Sequence, residues 1–222
     1  MEVFVEMKNQ LAPRLGLAYD IFGDGEHKVF ANLGRYHLPV ASNTNVRLAG
    51  AELYTHDYYV LEGVGAGDIP VLGNKLGDTV VFGDGTAPSP VSVRDSDLQA
   101  MYQDEFIIGY QGMLDEDWSI GIKYTRRELK SVIDDGSTEK AFESIGIDDD
   151  HFLLFNPGEG VSFKYDQDGD GTLEDYSFTA EQLGYPDAKR NYNAIDLMLE
   201  RAWDGQWMFK ANYTWSQSYG NA

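Results

Sequence analysis

The chain has 222 residues, no cysteine and a formal charge of −20 from 17 basic and 37 acidic side chains. This excludes a disulfide scaffold and cysteine-ligated metal sites, and it argues against nucleic acid as a partner. No run of 18 apolar residues occurs, so no transmembrane helix is expected, while 24 glycines and 13% aromatic residues lean toward β structure.

Three hairpins are predicted in chain order. The first pairs Arg14–Ile21 with His27–Tyr36 across Phe22-Gly23-Asp24-Gly25. Leu15, Leu17, Tyr19 and Ile21 share one face, answered by Val29, Ala31 and Leu33, and Asp24-Gly25 is a strong turn signal. The second pairs Glu105–Met113 with Trp118–Arg127 across Leu114-Asp115-Glu116-Asp117. Its apolar face holds Phe106, Ile108, Tyr110, Trp118, Ile120, Ile122 and Tyr124. The third pairs Tyr192–Arg201 with Trp207–Trp215 across Trp203-Asp204-Gly205-Gln206. Ile195, Leu197 and Leu199 face the same way as Trp207, Phe209, Ala211, Tyr213 and Trp215, while Met208, Lys210, Asn212 and Thr214 face the other. An apolar stripe about nine residues long with aromatic ends is what a lipid-facing strand of an outer-membrane barrel needs.

The connections between hairpins differ from the turns within them. Residues 38–104 carry nine acidic and three basic side chains, and residues 128–190 carry sixteen and five, so these two stretches hold 17 of the 20 excess negative charges. Short turns alternating with long acidic connections are the rhythm of a transmembrane barrel, with the long loops outside the cell. A soluble antiparallel sheet also alternates. The alternative is therefore a soluble, secreted, calcium-stabilised β-sheet binding module.

The sequences APRLGLAYDIFGDGEHKVFANLGRYHLPVASNTN (Ala12–Asn45), MYQDEFIIGYQ (Met101–Gln111) and LERAWDGQWMFKANYTWSQSYGN (Leu199–Asn221) resemble the barrel of TonB-dependent receptors, in the Oar-like branch that carries a carboxypeptidase-regulatory-like domain. The resemblance covers most of the chain. It implies an all-β fold, part of a 22-stranded antiparallel barrel in the outer membrane of Gram-negative cells. It implies outer-membrane lipid and the TonB complex as partners, and transport of an extracellular ligand. The chain departs from the family pattern in showing no plug, no TonB box and no signal peptide. Residues 1–222 are thus expected to be a partial barrel of about six strands, with the plug through which TonB acts lying outside it.

One motif suggests a ligand of its own. Asp166-Gln167-Asp168-Gly169-Asp170-Gly171-Thr172-Leu173 matches the first eight positions of a calcium loop of the EF-hand type. The twelfth position is Ser177 rather than Glu, so Glu174 or Asp175 would have to close the shell. The flanks Val161–Tyr165 and Tyr176–Thr179 read as short strands, and the other reading is a solvated acidic turn. In the first long connection Asn43, Asn45, Tyr54, Tyr58 and Tyr59 are candidates for stacking on and hydrogen-bonding an extracellular ligand, with aromatic contacts inside the folded loop as the other reading. Asp148-Asp149-Asp150-His151 reads as a solvated charge run and Gly63-Val64-Gly65-Ala66-Gly67 as a flexible loop. His27, His37, His56 and His151 form no HExxH or HxH pattern and no serine sits in GxSxG, so no enzyme is expected and no catalytic residue is assigned.

Overall fold

A computed structural model describes residues 5–8, 10–40, 44, 48 and 50–221. Six strands form one open sheet: β1 (Arg14–Asp20), β2 (His27–His37), β5 (Tyr102–Met113), β6 (Trp118–Lys130), β11 (Arg190–Arg201) and β12 (Phe209–Gly220). Each is antiparallel to its neighbour in the order just given. These are the three expected hairpins, the second and third extended by a few residues at their far ends, while β1 stops at Asp20 rather than Ile21 and β12 starts at Phe209 rather than Trp207. The connection after β2 carries a separate hairpin, β3 (Tyr54–Val64) with β4 (Pro70–Phe82). The connection after β6 carries β7 (Asp134–Ser137), α1 (Glu139–Ser144), β8 (Phe152–Phe155), β9 (Val161–Tyr165), β10 (Glu174–Phe178) and α2 (Ala180–Leu183).

The five pairings within the large sheet run without a register shift, so residues line up in rows across all six strands. Leu17, Ala31, Ile108, Tyr124, Ile195 and Trp215 form one such row. The next row is Tyr19, Val29, Tyr110, Ile122, Leu197 and Tyr213. The opposite face is polar. There Lys123 and Asp196 are 3.1 Å apart, Thr214 donates to Asp196 at 2.6 Å, and Arg127 reaches Glu105 at 2.5 Å. Glycines on that face leave room for large neighbours: a Cβ on Gly109 would collide with the Phe30 ring, and one on Gly121 would lie 2.7 Å from Met198 Cε.

The three short turns share one device. Each wraps backbone N–H groups around an aspartate carboxylate, as Asx turns do. Gly23 and Gly25 donate to Asp20 at 2.9 and 2.7 Å, Asp117 and Trp118 to Asp115 at 2.9 and 2.8 Å, and Gln206 and Trp207 to Asp204 at 2.8 and 3.1 Å. Gly25 and Gly205 take φ of 81° and 98°, which favours glycine. At this end Trp118 meets Trp207 and Phe209 with ring centroids 6.3 and 6.1 Å apart, and the Arg201 guanidinium lies 4.1 Å from the centre of the Trp207 ring.

The apolar face is uncovered. Leu15, Leu17, Tyr213 and Trp215 are 71%, 70%, 64% and 61% exposed. A soluble sheet buries such a face under a second layer; among the described residues no layer lies over it. The large buried side chains, Phe142, Leu153, Leu154 and Phe155, all lie instead in the connection after β6. A wall without a core and a capping unit with one follow from this. Replacing Ile122 by Arg at mid-stripe is expected to cost about 2–4 kcal/mol of unfolding free energy in lipid vesicles, the usual cost of an arginine on a barrel's lipid face. Denaturant titration of the vesicle-bound chain checks this, and an unchanged midpoint would place the residue elsewhere.

Candidate functional site

The capping unit is built by both long connections. Its main core joins Ala141 and Phe142 of α1, Leu153 and Phe155 of β8, Val161 and Phe163 of β9, Phe178 of β10 and Leu183 of α2. The Phe142 ring meets Phe178 and Tyr176 edge-on, with centroids 5.1 and 5.0 Å apart. α2 is held by a capping box between Thr179 and Gln182 and ends on Gly184 at φ 76°.

A strip of the first connection, residues 89–99, is stitched into the second. Leu154 N–H donates to Val93 O at 2.9 Å, Asp95 N–H to Leu154 O at 2.8 Å, Ser96 N–H to Ser162 O at 2.8 Å and Lys164 N–H to Val91 O at 3.1 Å. Val93 and Leu154 then bury together with Leu48. Asn156, 5% exposed, clamps three chain segments. Its Oδ1 accepts from Gln99 N–H at 2.7 Å, and its Nδ2 donates to Gln99 O at 3.1 Å and Val132 O at 2.7 Å.

His151 belongs to the same seam. Its ring stacks on Tyr165 and Phe163, with centroids 4.0 and 5.6 Å apart, and its Nε2 bonds the Ser92 carbonyl, so that nitrogen donates. The expected solvated run therefore ends in a half-buried ring, because the aromatic face of β9 offers it a stacking surface. Burial lowers its pKa from 6.5, against the smaller upward pull of Ser92, Asp149 and Asp150.

The β9–β10 turn carries the acidic motif. Carboxylate oxygens of Asp166, Asp168 and Asp170 lie within 4.8 Å of one another. The loop is shaped by its own carboxylates: Gly171 N–H donates to Asp166 at 2.9 Å, Asp170 N–H to Asp168 at 3.1 Å and Thr172 N–H to Asp170 at 2.7 Å. Asp166 Oδ1 and Glu174 Oε2 are buried and have no hydrogen-bond partner. Asp175 turns instead to Lys164, at 2.6 Å.

The other candidates fall elsewhere. Tyr54, Tyr58 and Tyr59 lie exposed on β3, in a two-stranded sheet separate from the β9–β10 hairpin. Tyr54 stacks on Phe82 of β4 with centroids 4.8 Å apart. Asn43 and Asn45 lie outside the described residues.

Sequence reasoning missed a pair of cavities beside β9. A cavity of about 550 Å³ is lined by Asp95, Asp97, Gln99, Asn156, Glu159 and the start of β9. A second, of about 220 Å³, lies against Arg94, Ser96, Lys164 and Tyr176. Burial raises the pKa of Asp95, which is 5% exposed, although Ser162, Asp97 and Ser96 N–H groups oppose the shift. The sole local signal was the short alternation Val91-Ser92-Val93-Arg94, whose partner strand lies about sixty residues away.

Comparison with known proteins bears on the whole arrangement. The profile of the outer membrane beta barrel domain family matches residues 2–222. The chain is 27% identical to the TonB-dependent transporter Oar of Myxococcus xanthus over 96% of its own length. It spans 19% of that relative. No solved structure shows significant similarity.

Two outcomes are expected from this geometry. A histidine with a depressed folded pKa contributes stability in full above about 6.5, its unfolded value, and loses it as pH falls below. Hydrogen-exchange protection in β8 and β9 should therefore drop between pH 7 and pH 5, and His151→Phe should flatten the dependence. Asn156→Ala strands buried backbone groups, at a cost of about 1–3 kcal/mol each. It should lower protection throughout the capping unit while the large sheet keeps its own.

Proposed function

Because the chain belongs to the outer membrane β-barrel domain family and resides in the outer membrane, we infer that its capping unit faces the cell exterior and receives a ligand for passage through the barrel. The observation that carries the reading is the division of the chain into a coreless wall and a cored cap. The wall's rows of Leu, Ile, Val and aromatic side chains take lipid, with Trp118, Trp207 and Phe209 at one interface. The polar face, with its Lys123–Asp196 and Arg127–Glu105 pairs, lines the hydrated interior. Energising by TonB would call on parts of a protein as long as the relative, of which this chain spans 19%. The chain's own residues supply containment and recognition and carry out no bond chemistry.

The acidic turn holds a calcium ion in this reading. Three converging carboxylates repel one another unless a cation lies among them, and the two orphaned oxygens of Asp166 and Glu174 are suitably hard ligands. The ion would be held by Asp166, Asp168 and Asp170; Glu174, outside that convergence, would have to turn in to close the shell, with Asp175 left to Lys164. It would order the β9–β10 turn and hence the strand against which residues 89–99 lie.

Both parts have direct tests. The chain lacks cysteine, so single cysteines can report sidedness. In intact cells a membrane-impermeant maleimide is expected to label a cysteine replacing Asp175 and to spare one replacing Asp204. The reverse pattern would overturn the orientation. Calorimetric titration of the detergent-folded chain with calcium should give saturable heat that Asp168→Asn weakens tenfold or more. Absence of heat from the unaltered chain removes the ion from the account.

A further inference from the structure

The two cavities beside β9 adjoin. Both are lined by Ser162 and Ser177, which face each other across the β9–β10 pair with their hydroxyls 2.6 Å apart. Their charges are opposite. The smaller cavity has Arg94 and Lys164 against the single acid Asp175. The larger has Asp95, Asp97 and Glu159 and no basic residue. Lys164 is paired with Asp175 at 2.6 Å, so the net positive charge of that end rests on Arg94.

The cationic end has unspent hydrogen-bonding capacity. Arg94 donates through Nη1 to Asp95 O at 3.2 Å, but its Nε is buried without a partner, and among the described residues no carboxylate pairs with it. That Nε is sealed from solvent, so an incoming carboxylate would meet the guanidinium through its remaining N–H groups. The acidic end holds Asp97 and Glu159 exposed at its mouth, free to meet a cation. Between the ends, the two serine hydroxyls can donate or accept.

We propose that these cavities form one site for a zwitterionic ligand of the short-peptide class, its carboxylate at Arg94 and Lys164 and its ammonium at Asp97 and Glu159. The spacing suits it. Lys164 lies four residues along β9 from Gly160 at the acidic end, about 13 Å at a strand rise of ~3.3 Å. An extended tetrapeptide spans the same distance. The ligand's amides would lie over Ser162 and Ser177, alongside residues 94–97 of the strip. The site rests on the reading of the cap as the ligand-receiving part, and it exists only where the two connections are stitched together.

Tetraglycine tests it, titrated calorimetrically into the full chain folded in detergent micelles, beside its N-acetylated and C-amidated forms. Each lost charge is expected to weaken binding about tenfold or more, the range for charge-assisted hydrogen bonds. Arg94→Gln and Lys164→Gln should remove the preference for a free carboxylate and keep that for a free amine. Asp97→Asn should do the reverse. Hydrogen-exchange protection in β9 verifies that each variant keeps its fold. No heat from tetraglycine, equal affinity for the three forms, or preferences untouched by all three substitutions would overturn the proposal. Maleimide labelling reads orientation separately, so a peptide site on a wrongly oriented cap and an outward cap without the site give different results.

Discussion

Unshifted register across six strands is the constraint on which everything else depends. In hydrocarbon every backbone N–H and C=O must find its partner within the protein, because no water is there to take it. A slip of one residue in any pairing would also turn that strand's apolar side chains to the hydrated face. Ile195 sits opposite both Trp215 and Tyr124, and Tyr124 opposite Ile108, so an error in one hairpin would propagate to all. The aspartate-wrapped turns hold this register, since each fixes the turn length between paired strands. The glycines beside Phe30 and Met198 let large side chains lie flat on the inner face without prising strands apart.

The cap obeys a different rule. Its strands are four or five residues long and pair two by two, too little to stand alone. It becomes a unit because Phe142, Phe155, Phe163 and Phe178 form a common core and because residues 89–99 close the free edge of β9. Asn156 then ties that unit to the points where the chain enters β5 and leaves β6. Beside these bonds, Val40, Leu98 and Ile133, next to the ends of β2, β5 and β6, pack on the small buried cluster of Leu48, Val93 and Leu154.

The difference explains what the sequence could reveal. Strand faces in the wall are set by local alternation, so the rows from Leu17 to Trp215 were readable from residue types two apart. Two of the three turns were readable from Asp-Gly pairs, Asp24-Gly25 and Asp204-Gly205. The acidic motif of Asp166, Asp168 and Asp170 was readable because its convergence is local. Nothing local shows that Leu153-Leu154-Phe155 is the cap's most buried strand, or that Ser92 meets His151, fifty-nine positions later. Those contacts arise from burial between distant segments, and negative charge surrounding them masks the apolar residues. The Arg94–Lys164 end of the paired cavities is hidden for the same reason.

The siting of the buried core has a thermal consequence. Burial from water carries a large heat-capacity change, and its driving force fades on cooling. Among the described residues only the cap holds such a core, whereas the wall's apolar rows face lipid in the folded state. Cold therefore loosens the cap and spares the wall. An organism living at low temperature would have to reinforce Phe142 and its neighbours and could leave the wall as it is.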